Sequence, residues 1–212
     1  MGLIASPLFG LFLLAALALA ITPGPGIAYV LARTVGGGRA AGLASTAGTA
    51  LGGLVHVAAA AAGLSALLMQ SAGAFTAVRW LGAAYLVYLG LRTLLAHTDE
   101  PTAVPALRSH GARRAFGEGV VVEALNVKTA VFFLAFLPQF VDVALPLVPQ
   151  FVVLGSICVM LNTAVDVAVV LGASVALARW HRRVRLRAWL QRVSGATMVA
   201  LGIGMALLRH ER

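Results

Sequence analysis

Long apolar stretches, separated by short polar or arginine-bearing ones, set the rhythm of this chain. Stretches long enough to cross a hydrocarbon core, about 20 residues each, run over 3–33, 43–69, 75–96, 119–140, 147–177 and 193–208. The pattern predicts an all-α integral membrane protein of six transmembrane helices, with almost nothing left over for a soluble domain. Composition agrees: of 212 residues, 60% are hydrophobic and only 11% charged, far more apolar than a soluble domain.

The first stretch contains a contradiction. No charged side chain occurs from Leu3 to Ala32, yet one straight helix of that length would measure about 45 Å against a hydrocarbon core of about 30 Å. In its middle stands ITPGPGIAYV, residues 21–30. Pro23 and Pro25 lack a backbone N–H and clash with the preceding turn, while Gly24 and Gly26 admit conformations that other residues avoid. The carbonyls freed between about Leu19 and Ile21, and the N–H groups after Gly26, must then meet protein, water or a ligand. A single proline would make a simple kink. The doubled Pro-Gly pair after Thr22 points instead to an unwound segment at a binding site, with Thr22, Pro23, Gly24, Pro25 and Gly26 as substrate-contacting candidates.

Charge adds a topology. The net charge of +9 would suggest a nucleic-acid partner in a soluble protein, but here the basic residues sit between the spans. Arg33, Arg39, Arg92, Arg108, Arg113, Arg114, Arg179, Arg182, Arg183, Arg185, Arg187 and Arg192 fall on one side; Arg79, Arg209 and Arg212 fall on the other. Cytoplasmic loops collect Lys and Arg, so both termini are expected outside a cytoplasmic (inner) membrane, and no nucleic-acid partner is expected. The small-residue triplet Ala18-Leu19-Ala20 resembles a signal-peptide cleavage site. Without Lys or Arg before it, and with an uncleaved first helix completing the charge alternation, it reads as part of a span. The basic run from Arg179 to Arg192, flanked by Trp180 and Trp189, fits an amphipathic segment lying against membrane lipid.

The chain divides near its midpoint. The one linker-like stretch, His97 to Arg114, carries two prolines and mixed charge, giving a first three-helix half at 1–96, a cytoplasmic loop at 97–117 and a second half at 118–212. Three echoes follow in the same order: TPGP at Thr22 with NVKT at Asn126, the segment around His56 with that around Asp166, and RWLGA at Arg79 with RVSGA at Arg192. An odd number of helices per half turns the second upside down in the membrane. The expectation is therefore a 3+3 inverted repeat with a broken first helix, its substrate site between the halves.

Few residues inside the spans can carry chemistry. Glu123, Asn126 and Lys128 lie within about one and a half turns, and Lys128 is the only lysine in the chain. Its ammonium is a compact point charge, unlike a guanidinium. Asn126 and Lys128 are substrate-binding candidates; Glu123 either serves proton coupling or snorkels to an interface. Asp166 stands alone in an apolar run from Val143 to Ala178 and is a coupling candidate by default. His56 either relays a proton or bonds a carbonyl. Gly48, Gly52 and Gly53 form a small-residue stripe suited to close helix packing, or to a homodimer. Cys158, the single cysteine, is assigned to packing. No catalytic set, metal site or cofactor is expected: there is no nucleophile with a positioned base for an intramembrane enzyme, and no soft or imidazole-rich cluster for heavy-metal efflux.

These motifs together resemble the LysE/RhtB-type amino-acid exporters. The similarity is carried by TPGPGIAYVLARTVGGGRAAGLASTAGTALGGLVH from Thr22, WLGAAYLVYLGLRTLL from Trp80 and FGEGVVVEALNVKTAVFFLAFLPQFVD from Phe116. The resemblance implies six helices and export of amino acids or related small metabolites by proton antiport. It places signatures on Pro23-Gly24-Pro25, on Asn126 and Lys128, and on Asp166. A substrate carboxylate would then sit against Lys128 and the N–H groups after Gly26, with its ammonium toward Asp166, Asn126 or the freed carbonyls. The family usually has proline where this chain has Val127, and Glu123 is not a position it keeps acidic.

Overall fold

In the computed structural model, residues 7–66, 71–95 and 111–180 are described, with isolated positions between 192 and 203. The sixth expected span, the loop from 97 to 110 and the basic run beyond Trp180 lie outside the described residues. What is described is helical apart from short breaks and turns, without a strand.

The first helix, α1, runs Pro7–Ile21 and stops where the sequence demands. Thr22 closes its last turn, its N–H and its Oγ1 both donating to the Ala18 carbonyl at 3.1 and 2.6 Å. Gly24 is extended, and Pro25 opens α2, Pro25–Ala59, at the one helical position where a missing N–H costs nothing. The first span is broken as expected.

The connection expected between the first two spans is much shorter than the apolar pattern implies. Helical structure continues through residues 34–42, interrupted only at Gly38, whose φ of 75° belongs to the left-handed region. In a straight helix Thr34 and Gly42 would lie about 12 Å apart; here a Cβ on Gly42 would strike the Thr34 hydroxyl. The chain therefore turns back sharply at one residue, which only glycine accommodates without strain.

The second leg of α2 passes into a π-helical turn at Ala60–Leu64. There follow α3, Ala72–Leu95, and α4, Ala112–Ala124, which begins inside the stretch assigned to the cytoplasmic loop. Then come α5, Val127–Ala135, a short 3-10 turn at Leu137–Phe140, and α6, Leu147–Trp180. Among the described residues, Pro25–Leu64 and Leu147–Ala173 are long and apolar enough to cross a bilayer. The pair Ala112–Ala124 and Val127–Phe140, bent by 45°, makes a third if taken as one broken span. Leu14, Leu81, Leu95 and Met160 all present more than half their surface outward, as helices facing lipid tails do.

The interior has two textures. An aromatic cluster of Phe12, Phe132, Phe136 and Phe151 with Leu137, Leu154 and Cys158 binds α1, α5 and α6, with Phe132–Phe136 and Phe136–Phe140 centroids 4.7 Å apart. Cys158 is fully buried there, in the packing role expected of it. Between α2 and α4, by contrast, backbone meets backbone. A Cβ on Gly48 would overlap the Phe116 carbonyl, one on Gly52 would lie 2.6 Å from the Val120 carbonyl, and one on Gly119 would lie 2.7 Å from the Ser45 carbonyl. The glycine stripe is thus used in close helix packing within the chain. Gly48→Leu is expected to pry α2 from α4 and lower stability by about 1–3 kcal/mol or more, read as a lower melting temperature in detergent, whereas Gly10→Leu, with open space around it, should leave it unchanged.

Candidate functional site

The second helix break is made by a cap rather than by a proline. Asn126 is the N-cap of α5, its Oδ1 accepting from the Lys128 backbone N–H at 3.1 Å. Val127 occupies the first helical position, where proline is favoured but not required. The bend survives the absence of a proline because asparagine supplies the acceptor that an opening helix needs.

This break also reorients Glu123 and Lys128. Five residues apart on a straight helix, they would point about 140° from each other. Across the break both are buried, 8% and 9% exposed, and both line one cavity with Gly26, Thr49, Gly53, Asn126, Asn162 and Asp166. The cavity measures about 20 Å³, room for a water molecule.

Each charge answers one end of the other break. The Lys128 ammonium donates to the Leu19 carbonyl at 3.2 Å and the Thr22 carbonyl at 2.9 Å, carbonyls that the Pro-Gly break frees at the C-terminal end of α1, where a cation is favoured. Gly24 permits this: a Cβ there would stand 3.0 Å from Nζ. The Glu123 carboxylate lies at the opposite pole, against the start of α2, with Oε2 only 2.7 Å from where a Gly26 Cβ would be. Asn126 Nδ2 donates to Oε2 at 3.0 Å and Thr129 Oγ1 donates to Oε1 at 2.7 Å.

Asp166, 5% exposed, approaches from α6 and accepts from Thr49 Oγ1 at 2.9 Å. His56 does not line the cavity; its Nε2 pairs with the Glu123 carbonyl at 2.8 Å, the carbonyl-bonding alternative read from the sequence. Of the sequence-derived candidates, Gly26, Glu123, Asn126, Lys128 and Asp166 share the cavity wall. Thr22 and Gly24 lie just behind it against Lys128.

Sequence reasoning missed Thr49, Thr129, Asn162 and Thr163. Hydroxyls and amides in an Ala/Gly/Val-rich helix give no charge signal, and Asn162 Nδ2 and Thr163 Oγ1 donate to carbonyls of their own helix. A second cluster was also missed. Buried Arg33 of α2 pairs with Glu118 of α4, which also accepts from Tyr29 Oη at 3.1 Å and Arg114 Nε at 2.7 Å. The sequence assigned Arg33 and Arg114 to loops, whereas both lie in helices: Arg33 ties α2 to α4 through Glu118, and Arg114 pairs with Glu118 within α4.

Lipid-facing helices, two of them broken, with buried ions gathered where the breaks meet, define a membrane transport protein. The chain belongs to the LysE type translocator family, whose family model matches residues 17–209. The homoserine/homoserine lactone efflux protein of Salmonella typhimurium is 30% identical over 208 residues, covering 94% of this chain and 96% of that one. The leucine efflux protein of Salmonella choleraesuis is 31% identical over 137 residues, 64% of each chain. An uncharacterized membrane protein of Vibrio cholerae is 31% identical over 176 residues, 82% of each. No solved structure matches the chain.

Proposed function

We propose that this protein is a secondary exporter that moves amino acids or related small metabolites out across the cytoplasmic membrane in exchange for protons. The observation that carries the reading is the meeting of Lys128, Glu123 and Asp166 at two helix breaks around one cavity. Buried ions inside a membrane are costly, on the order of 2.5–3.5 kcal/mol each on insertion scales, and a packed structural core has no use for three of them. The efflux proteins among its relatives point the same way.

In this reading Thr22 to Gly26, Asn126 and Lys128 form the wall that the substrate meets, and Asp166 is the coupling group. One carboxylate can be neutralised by a proton or by a substrate ammonium, not by both at once, so alternate occupancy of Asp166 yields exchange. Glu123 and His56 are weaker coupling candidates, because both Glu123 oxygens already accept hydrogen bonds and His56 is paired with a carbonyl.

The order helix, break, helix occurs at Thr22–Gly24 and again at Leu125–Asn126, which supports a 3+3 inverted repeat with the site between its halves. The arginine distribution supports cytoplasmic basic loops and outside termini. Purified protein in liposomes with an imposed pH gradient should move one or more members of an amino-acid and derivative panel, while zinc and nickel do not move. Transport of a metal ion with none of the panel would overturn the proposal.

A further inference from the structure

The charge balance of the cavity narrows the substrate, an inference that rests on the transport reading above. We propose that the preferred substrate is a small cation, an amine whose carboxyl is absent or masked as an amide, ester or lactone, because Glu123 stands where the carboxylate of a free amino acid would have to bind.

An anion entering this site has two attractive positions, the start of α2 and the Lys128 ammonium; the first is occupied by Glu123 and the second is already bonded twice. The start of a helix favours negative charge through its unpaired N–H groups. The Glu123 carboxylate is seated there, in contact range of the Gly26 backbone. Asn126 Nδ2 and Thr129 Oγ1 donate to its two oxygens. Lys128, on the cavity wall, spends two of its three donors on the Leu19 and Thr22 carbonyls.

Asp166 is left. It receives a hydroxyl hydrogen bond from Thr49, and among the described residues it forms no ion pair; the ion pairs found are those of Glu118 with Arg33 and Arg114. The wall thus carries two carboxylates against one ammonium. A monocation brings that balance to zero. A zwitterion leaves it unchanged and sets its own carboxylate beside that of Glu123, a like-charge contact that is strongly unfavourable away from water.

The test compares matched pairs, leucine with leucinamide and homoserine with homoserine lactone, by thermal shift and by exchange in proteoliposomes, for the wild-type protein and Glu123→Gln. The wild type should prefer the amide and the lactone by about tenfold or more in affinity, and Glu123→Gln should erase or reverse that preference. Equal or tighter binding of the free acids by the wild type would overturn the proposal, as would an unchanged ratio in the variant. Should Glu123→Gln fail to fold, the wild-type ratios decide alone. Movement of free acids, these or others of the panel, in preference to their derivatives would overturn the proposal and leave the transport reading standing; movement of no member of the panel would sink that reading instead.

Discussion

Asp166→Asn is expected to abolish proton-driven efflux, reducing uphill movement in proteoliposomes to the level of protein-free liposomes. Asparagine keeps the shape of aspartate and can still accept from Thr49 Oγ1, now 2.9 Å from the carboxylate, so the helices should pack as before. What it cannot do is alternate between a proton and an ammonium. The variant should therefore retain its melting temperature and lose its response to an imposed pH gradient. Coupled efflux at the wild-type rate would show that the proton travels elsewhere, and Glu123 would then be the next carboxylate to examine.

Lys128→Met is expected to have the largest effect on stability. The ammonium holds two carbonyls at the end of α1, and hydrogen bonds to charged groups are worth about 1.5–3 kcal/mol each. Methionine fills a similar volume but leaves the Leu19 and Thr22 carbonyls without that donor in a dry interior. It also leaves the Glu123 and Asp166 carboxylates with no cation on the cavity wall. A loss of about 3 kcal/mol or more follows, which for a chain of this size lowers the melting temperature in detergent by roughly 10 °C. Lys128→Arg should not restore it, since a Cβ on neighbouring Gly24 would already sit 3.0 Å from Nζ and a planar guanidinium is bulkier than an ammonium. A melting temperature within a degree of the wild type would show that the carbonyls find other donors.

The two experiments separate functions that the site combines. Asp166 touches the network through one hydroxyl and is placed for exchange. Lys128 is tied into the backbone of the opposing break and serves first to keep the broken helix broken. Charge and dipole are matched across the cavity: a cation at the end of α1, an anion at the start of α2, both supplied by residues flanking the second break. The first break leaves carbonyls that Lys128 of the second satisfies, so they are not left facing lipid.

The amino-acid sequence by itself determined the helical, membrane-embedded class and the break at Thr22–Gly24. Those depend on local facts: the length of an apolar run against the thickness of a bilayer, and the missing N–H of proline. It also marked Asn126, Lys128 and Asp166, because an ionisable or amide side chain inside an apolar run is conspicuous wherever the helix lies. Only the tertiary structure decided what those groups face. The single-residue turn at Gly38 depends on one backbone dihedral, which the apolar pattern does not encode. Glu123 and Lys128, which helical periodicity separates, are brought to one cavity by the Asn126 cap. Thr49 and Thr129 become site residues only when α2, α5 and α6 converge. Periodicity and composition report on a residue and its chain neighbours, whereas the partner of a buried charge is chosen by packing between elements about a hundred residues apart, and that choice made the site.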